Sequence, residues 1–198
     1  MNWTWLGHST FLLENEAGTR LITDPVDEKT GYAFAPVRAD VVTVSHRHHD
    51  HCALERVTGE RIVKETCTAE TLAGFAIKGY FSYHDEARGR LRGTNVIFAI
   101  EADGQRFVHC GDLGHVPDDD TIAAIKGCDV LFVPVGGVYT IDGKIAWALT
   151  KRIAPKTVVP MHFLTPVLSF KLDPVDVFLS AAKSDPAQVV IELPALRS

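Results

Sequence analysis

The chain has 198 residues, 46% hydrophobic and 23% charged, which suits one domain with a large core, and we expect a single domain over residues 1–198. The formal net charge of -5 gives no reason to expect a nucleic-acid partner, since phosphate binding usually needs a concentrated basic face. The start of the chain lacks the pattern of a signal peptide, and no apolar run reaches the length of a membrane helix, so we expect a cytoplasmic protein with no membrane partner.

Short runs rich in β-forming residues dominate the first part of the chain. Each run is bounded by Gly, Pro, Asn or Asp, as strands usually are. The predicted strands cover residues 3–6, 10–14, 20–23, 41–44, 77–83, 95–101 and 106–110.

The second part alternates helix-like and strand-like segments. Helices are predicted over residues 117–126, 145–153 and 173–183, the last with Asp173 as N-cap and Pro174 as the first helical residue. Apolar runs predict strands over residues 130–135, 157–160 and 189–193. Strands followed by alternating helices and strands predict sheets with helices on their outer faces.

A dense group of metal-binding residue types follows the predicted strand 41–44. It reads His46-x-His48-x-Asp50-His51. Imidazole nitrogen and carboxylate oxygen suit zinc and its first-row neighbours. Four such groups are too many for one tetrahedral ion with an open catalytic position, so the loop suggests two metals.

Three further candidate ligands each follow a predicted strand far away in the sequence. They are His84, Asp112 and His162. Strand ends that meet at one edge of a sheet hold such side chains rigidly. With the loop, the candidate set contains five histidines and two aspartates.

The order of these motifs resembles that of the metallo-β-lactamase fold superfamily. Five shorter motifs are similar to its small single-domain branch, which includes ascorbate-6-phosphate lactonase and many metal-dependent hydrolases. They are Gly7-His8-Ser9, Thr23-Asp24-Pro25, Gly111-Asp112-Leu113-Gly114-His115, Pro134-Val135-Gly136-Gly137 and Pro160-Met161-His162. The resemblance implies an α/β (α+β) fold, a four-layer αβ/βα sandwich with the metals at one edge of its two central sheets.

The resemblance also implies an assignment of ligands to two divalent metal ions. The first ion would be held by His46, His48 and His84. The second would be held by Asp50, His51 and His162, and Asp112 would bridge the two. Zinc is the first choice, and manganese and iron stay open because nitrogen and oxygen ligands accept all three.

Two residues near the predicted centre have competing interpretations. His8 is a candidate, together with Asp50, for a catalytic role, as a substrate contact or proton donor; alternatively, it only satisfies local hydrogen bonds. Asp24 either orients a ligand imidazole or forms a turn before Pro25.

Other residues near the motifs are expected to lie outside the ligand set. We expect an exposed His49, a His109 used for packing, and a solvated turn at Asp85. Tyr139 and Thr140 either line the pocket or belong to an ordinary loop. Cys52 and Cys110 flank candidate ligands and are predicted to be small buried residues.

These expectations together predict a dinuclear metal-dependent hydrolase. A metal-bridging hydroxide would attack a small-molecule ester, lactone or phosphate ester. The alternatives are a small-molecule phosphodiesterase and a non-catalytic metal-dependent sensor or scaffold. Members of the resembling branch assemble, so a homo-oligomer also stays open.

Overall fold

The computed structural model of the protein describes residues 1–195. The first part of the chain forms β1 (Asn2–Gly7), β2 (Thr10–Glu14), β3 (Arg20–Thr23), β4 (Val37–Arg38), β5 (Val41–Thr43), β6 (Val57–Thr58), β7 (Ile62–Lys64) and β8 (Ala69–Leu72). The second part forms β9 (Phe75–Tyr83), β10 (Thr94–Ala102), β11 (Gln105–His109), α1 (Asp119–Ile125), β12 (Val130–Pro134), α2 (Gly143–Ile153), β13 (Thr157–Met161), α3 (Asp176–Ser184) and β14 (Val190–Ile191). Single-turn 3-10 helices lie at Glu28–Thr30 and Leu54–Arg56.

The strands form two main sheets and a small pair. The first sheet has the order β1-β2-β3-β5-β7, and the second has the order β14-β13-β12-β11-β10-β9-β8. Strands β4 and β6 form the pair. The single domain predicted over residues 1–198 includes residues 196–198, which lie outside the described residues.

The strand directions bring distant residues to one edge of each sheet. In the first sheet, β1 and β3 are both antiparallel to β2, and β5 is parallel to β3, so these three strands end at the same edge. In the second sheet, β9 and β11 are both antiparallel to β10, and β13 follows β11 and β12 in parallel. The carboxyl ends of β9, β11 and β13 therefore also share an edge.

Alternation of side chains along the strands separates two apolar regions. Leu21 and Val41 face the main core between the sheets, whereas Ile22 and Val42 face outward and pack near Leu54. The helices cover the second sheet, where Trp147 of α2 meets Phe178 of α3 edge to face. The predicted sandwich is confirmed, although a 3-10 helix and the β4-β6 pair, rather than α-helices, cover the first sheet.

The sequence patterns misplaced the three helix starts by two or three residues and missed several short strands. Helix α1 begins at Asp119 instead of residue 117, and α2 begins at Gly143 instead of residue 145. Helix α3 begins at Asp176, not at Asp173, because the Asp173 backbone N–H donates to Gly136 and its carbonyl accepts from Leu164. The missed strands are β4, β6, β7 and β8, which are two to four residues long. No helix in residues 1–195 combines the length and apolar character needed to cross a membrane.

Candidate metal centre

The candidate ligands converge where the two sheets present their strand ends. His8 and Asp24 follow β1 and β3, and the segment from His46 to His51 follows β5. From the second sheet, His84 follows β9, and Asp112 and His162 lie just beyond β11 and β13. Two sheet edges thus supply one cluster.

Apart from a set that joins Asp24 to His46 and His51, the cluster contains two groups of potential ligand atoms. Within each group, all the ligand atoms lie within 4.8 Å of one another. One group is His46, His48 and His84; the other is His8, Asp50, His51 and His162. The two sets of three ligands expected from the sequence are therefore brought together, and His8 joins the second set.

Asp112 lies between the two groups. Its Oδ2 atom is 3.2 Å from His84 Nε2 and 3.1 Å from His162 Nε2. Its Oδ1 atom is 3.1 Å from His51 Nε2. One carboxylate therefore contacts imidazoles of both groups, as a bridging ligand would.

Asp24 orients two of the imidazoles rather than merely forming a turn. Its Oδ2 accepts hydrogen bonds from His51 Nδ1 at 2.9 Å and Ser45 Oγ at 2.5 Å, and Oδ1 accepts from the Ser45 backbone at 2.7 Å. Ser45 Oγ also lies 2.9 Å from His46 Nδ1. Because the Nδ1 atoms are occupied, the Nε2 atoms of His46 and His51 are left to face the cluster.

Several atoms of the cluster lack a partner that they need. His46 Nε2, His51 Nε2 and Asp112 Oδ1 are buried and have no hydrogen bond within the described chain. Buried polar atoms are almost always satisfied, so such a concentration points to a ligand. Imidazole nitrogens and a carboxylate oxygen are donors for zinc and related divalent ions, and the residues therefore fit a metal centre.

The charges of the cluster depend on which residues face one another. Burial alone would raise the pKa of Asp112, but His162 and His51 outweigh this effect and hold the pKa well below its usual value. Burial opposes the protonation of His51, yet Asp112 and Asp50 raise its pKa well above the usual value. Burial lowers the pKa of His46 to about 3, with a further contribution from His51. Asp112 is therefore ionised and His46 neutral, the forms that bind metal.

His8 does not act as a local turn-forming residue. Its side chain is buried, its Nε2 lies 3.3 Å from Asp50 Oδ2, and its ring centroid is 4.2 Å from that of His162. Burial and the neighbouring His162 lower the pKa of His8 to about 4, so that it is neutral near pH 7. The interpretation that His8 only satisfies local hydrogen bonds is not supported, since neither of its ring nitrogens makes a hydrogen bond with a described residue.

The backbone around the cluster adopts unusual conformations. His8, Asp24 and His162 have φ values of 52°, 35° and 51°, in the left-handed region that costs energy for residues other than glycine. At Gly114, a Cβ atom would lie 2.2 Å from the carbonyl carbon of His84, so only glycine allows this approach. Strain and close packing thus accompany the candidate site.

His49 and His109, which are expected to lie outside the ligand set, are absent from the groups of potential ligand atoms, and so is His115, for which the sequence favoured neither interpretation. The side chain of His49 is 65% exposed and contacts Asp27. His109 is buried, lies 2.9 Å from the Ser9 carbonyl and packs against Phe11. His115 accepts a hydrogen bond from the Tyr83 backbone.

Two interpretations need correction. Asp85 is buried instead of solvated, because its carboxylate accepts hydrogen bonds from the backbone N–H groups of Gly89, Leu91 and Arg92. Cys52 is partly exposed, whereas Cys110 is buried as expected.

A cavity of about 420 Å³ opens onto the cluster. It is lined by His48, His49, Asp50, His84, Arg92, Asp112, Tyr139, His162 and Phe170. Tyr139 therefore lines the pocket, whereas Thr140 does not line this cavity. Gly136 packs against the backbone of His162, where a Cβ atom would lie 2.1 Å from the carbonyl oxygen.

Sequence reasoning missed Asn95, Arg92 and Phe170. Asn95 accepts a hydrogen bond from the Asp112 backbone at 3.0 Å and donates to the Cys110 carbonyl at 2.9 Å, which fixes the position of Asp112. Its place at the start of a strand-like run gave no signal of this role. Arg92 and Phe170 lie in loops, where only the folded chain shows which cavity they line.

Comparison with known proteins identifies the class. Residues 2–162 match the family model described as the beta-lactamase superfamily domain. A UPF0173 metal-dependent hydrolase from Carboxydothermus hydrogenoformans is 30% identical, with 85% of this chain and 88% of the relative covered. Another, from Methanoregula boonei, is 31% identical, with 83% of each covered. A crystal structure from Thermotoga maritima, named as a Zn-dependent hydrolase, has a TM-score of 0.78 and 36% identity over 98% of both chains.

The fold and the histidine–aspartate cluster define a metal-dependent hydrolase. The chain belongs to the metallo-β-lactamase superfamily. The narrower resemblance to ascorbate-6-phosphate lactonase stays a prediction.

Proposed function

We propose that the protein is a dinuclear hydrolase of small-molecule esters, lactones or phosphate esters. One divalent ion would be held by His46, His48 and His84, and the other by Asp50, His51 and His162, with Asp112 shared. Zinc is the first candidate for both ions, and we place the enzyme in the cytoplasm.

The position of Asp112 carries this proposal. A carboxylate has two oxygens that can each bind a cation, and its charge reduces the repulsion between two ions. Asp112 already contacts His84 from one group and His51 and His162 from the other, at 3.1 to 3.2 Å. A site for a single ion would not need six further ligand residues on both sides of one carboxylate.

When bound, two divalent ions lower the pKa of a water molecule and stabilise the negative charge that develops on the attacked group. The protein contributes the positions of the ligands. Asp24 holds the Nδ1 proton of His51, so that Nε2 faces the cluster, where a bound ion would replace the Nε2 proton. No side-chain nucleophile is required for such a reaction.

His8 and the proposed ligand Asp50 form the proposed catalytic pair. The neutral His8 ring carries a proton on one nitrogen and has the other free as an acceptor, and its Nε2 lies 3.3 Å from Asp50 Oδ2. This arrangement allows His8 to accept a proton from the reacting group or to donate one to a leaving group. Asp50 would also keep the imidazole oriented.

The cavity sets the size of the substrate. Its volume of about 420 Å³ falls within the range of small-molecule pockets, roughly 300 to 1,000 Å³. The lining contains the exposed edge of the cluster together with the rings of Tyr139 and Phe170.

A substrate and metal panel tests the proposal. Lactones, simple 4-nitrophenyl esters and bis(4-nitrophenyl) phosphate are incubated with protein loaded with zinc, manganese or iron. We expect turnover of at least one ester class, lost in His48→Gln and retained in His49→Gln, since His49 lies in the same loop but outside the ligand groups. Turnover confined to the phosphodiester would indicate a phosphodiesterase. No turnover with any metal, together with tight binding of a ligand, would favour a sensor and contradict the proposal.

A further inference from the structure

Arg92 is an unpaired cation on the wall of the cavity. Within residues 1–195, no carboxylate lies within ion-pair distance of its guanidinium, and its side chain makes no hydrogen bond. By contrast, the surface residue Arg47 donates two hydrogen bonds to Glu65, at 2.8 and 2.7 Å. The described cavity lining has no other lysine or arginine. Arg92 is therefore free to bind a partner that enters the cavity.

The backbone of Arg92 is fixed close to the metal centre. The buried Asp85 carboxylate accepts hydrogen bonds from the backbone N–H groups of Gly89, Leu91 and Arg92, at 2.9, 3.0 and 2.7 Å. Asp85 directly follows the candidate ligand His84. A single buried carboxylate thus ties the loop of Arg92 to the strand end that carries His84. The backbone of this loop is therefore already ordered before a substrate binds.

Aromatic rings continue the wall from Arg92 towards the centre. The Arg92 guanidinium carbon lies 5.4 Å from the centroid of the Tyr139 ring. Tyr139 lies 6.2 Å from Phe170, and Phe170 lies 5.6 Å edge to face from His8. A guanidinium stacked on a ring keeps its N–H edges available for hydrogen bonds. The wall therefore offers a cation at one end, an apolar middle and the cluster at the other end.

We propose that Arg92 selects substrates that carry an oxyanion, a carboxylate or a phosphate, remote from the bond that is cleaved. The anion binds the guanidinium through paired hydrogen bonds, and the carbon skeleton lies against Tyr139 and Phe170. This selection rests on the proposed function, because it concerns the substrate of the same site. Uncharged esters of equal length bind without this interaction.

A matched pair of esters measures the selection. Mono-4-nitrophenyl adipate and 4-nitrophenyl hexanoate share the leaving group and chain length, but only the adipate ends in a carboxylate. We expect the zinc-loaded protein to favour the adipate in kcat/KM by about 10- to 100-fold, as for a charged hydrogen-bonded pair. Arg92→Met abolishes the preference for the adipate over the hexanoate, whereas Arg92→Lys retains part of it. The 4-nitrophenyl ester of 5-phosphonopentanoic acid shows whether a phosphate-like group is preferred to the carboxylate.

The controls separate this inference from the proposed function. Arg88→Met removes an exposed arginine of the same loop that lies outside the cavity lining, and it should keep the adipate preference. Binding is measured independently of turnover by titrating adipic acid monoanilide and hexananilide into the metal-loaded protein. Suppose that no ester is hydrolysed, but the wild-type protein binds the monoanilide more tightly than hexananilide and Arg92→Met does not. This result would reject the hydrolase but keep the anion site. Equal rates and equal binding for both pairs, or an adipate preference that survives Arg92→Met, would overturn the anion site alone.

Discussion

Asp24→Asn tests the orientation of His51 while every candidate ligand residue stays in place. Asparagine has the same shape as aspartate and tolerates the left-handed backbone found at this position, where φ is 35°. Its Oδ1 can still accept from the Ser45 backbone. Its amide nitrogen, however, is a donor where the wild-type Oδ2 accepts from His51 Nδ1 at 2.9 Å. His51 must then carry its proton on Nε2, the atom that faces the cluster.

The expected loss concerns metal affinity more than folding. Removing a partner that orients a ligand histidine typically weakens metal binding by about 10- to 100-fold, equivalent to about 1.4 to 2.8 kcal/mol. Ser45 also loses a favourable acceptor at 2.5 Å, so the orientation of His46 is disturbed as well. We therefore place the effect towards the upper end of this range.

Competition with a chromophoric zinc chelator measures the change. Asp27→Asn is the matched control, because Asp27 makes a similar contact, at 3.0 Å, with the exposed His49 outside the ligand groups. We expect weaker zinc binding in Asp24→Asn and wild-type binding in Asp27→Asn. Unchanged zinc affinity in both variants would refute the orienting role of Asp24.

Three further predictions concern packing, metal removal and thiols. Gly111→Ala should lower the free energy of unfolding by about 2 to 4 kcal/mol in urea titrations, since its Cβ would lie 2.3 Å from Asn95 Oδ1 at a φ of 55°. Gly104→Ala, also at positive φ but with open space around it, should cost less, and an equal loss would show that the clash at Gly111 is unimportant. Stripping the metal with a chelator should lower Tm, because metal binding to the native state adds to its stability. The expected drop is about 5 to 10 °C per ion, relative to protein with free metal at a hundredfold excess over Kd. An unchanged Tm after proven metal loss would contradict the proposed ligand set. Cys67 should react with a thiol reagent in the native protein while Cys110 and Cys128 stay unmodified, because burial raises the pKa of both, that of Cys128 to about 12; rapid labelling of all the cysteines would show that the core opens.

The sequence indicated which candidate ligands could meet, because each follows a strand-like run with a clear end. His84, Asp112 and His162 lie just beyond β9, β11 and β13, so their convergence follows from the shared direction of these three strands. The family resemblance supplied the pairing of ligands into two groups, which spacing alone left open.

The sequence did not predict contacts that depend on loop geometry. Strands β4 and β6 have two residues each and pair through backbone atoms, so no side-chain alternation marks them. Asp85 looked like a turn residue, but the loop 89–93 folds back over it and buries it. Arg92 and Tyr139 approach each other from loops 47 positions apart (139 − 92), and no local pattern indicates that meeting.

We propose above all that two metal ions share Asp112. Anomalous scattering from a crystal of the metal-loaded protein tests it most directly. The proposal predicts two peaks, one among His46, His48 and His84 and one among Asp50, His51 and His162, with Asp112 between them. It also predicts that Asp112→Ala holds fewer than two ions per chain. A single peak, or a peak pair that persists unchanged in Asp112→Ala, would contradict the shared carboxylate.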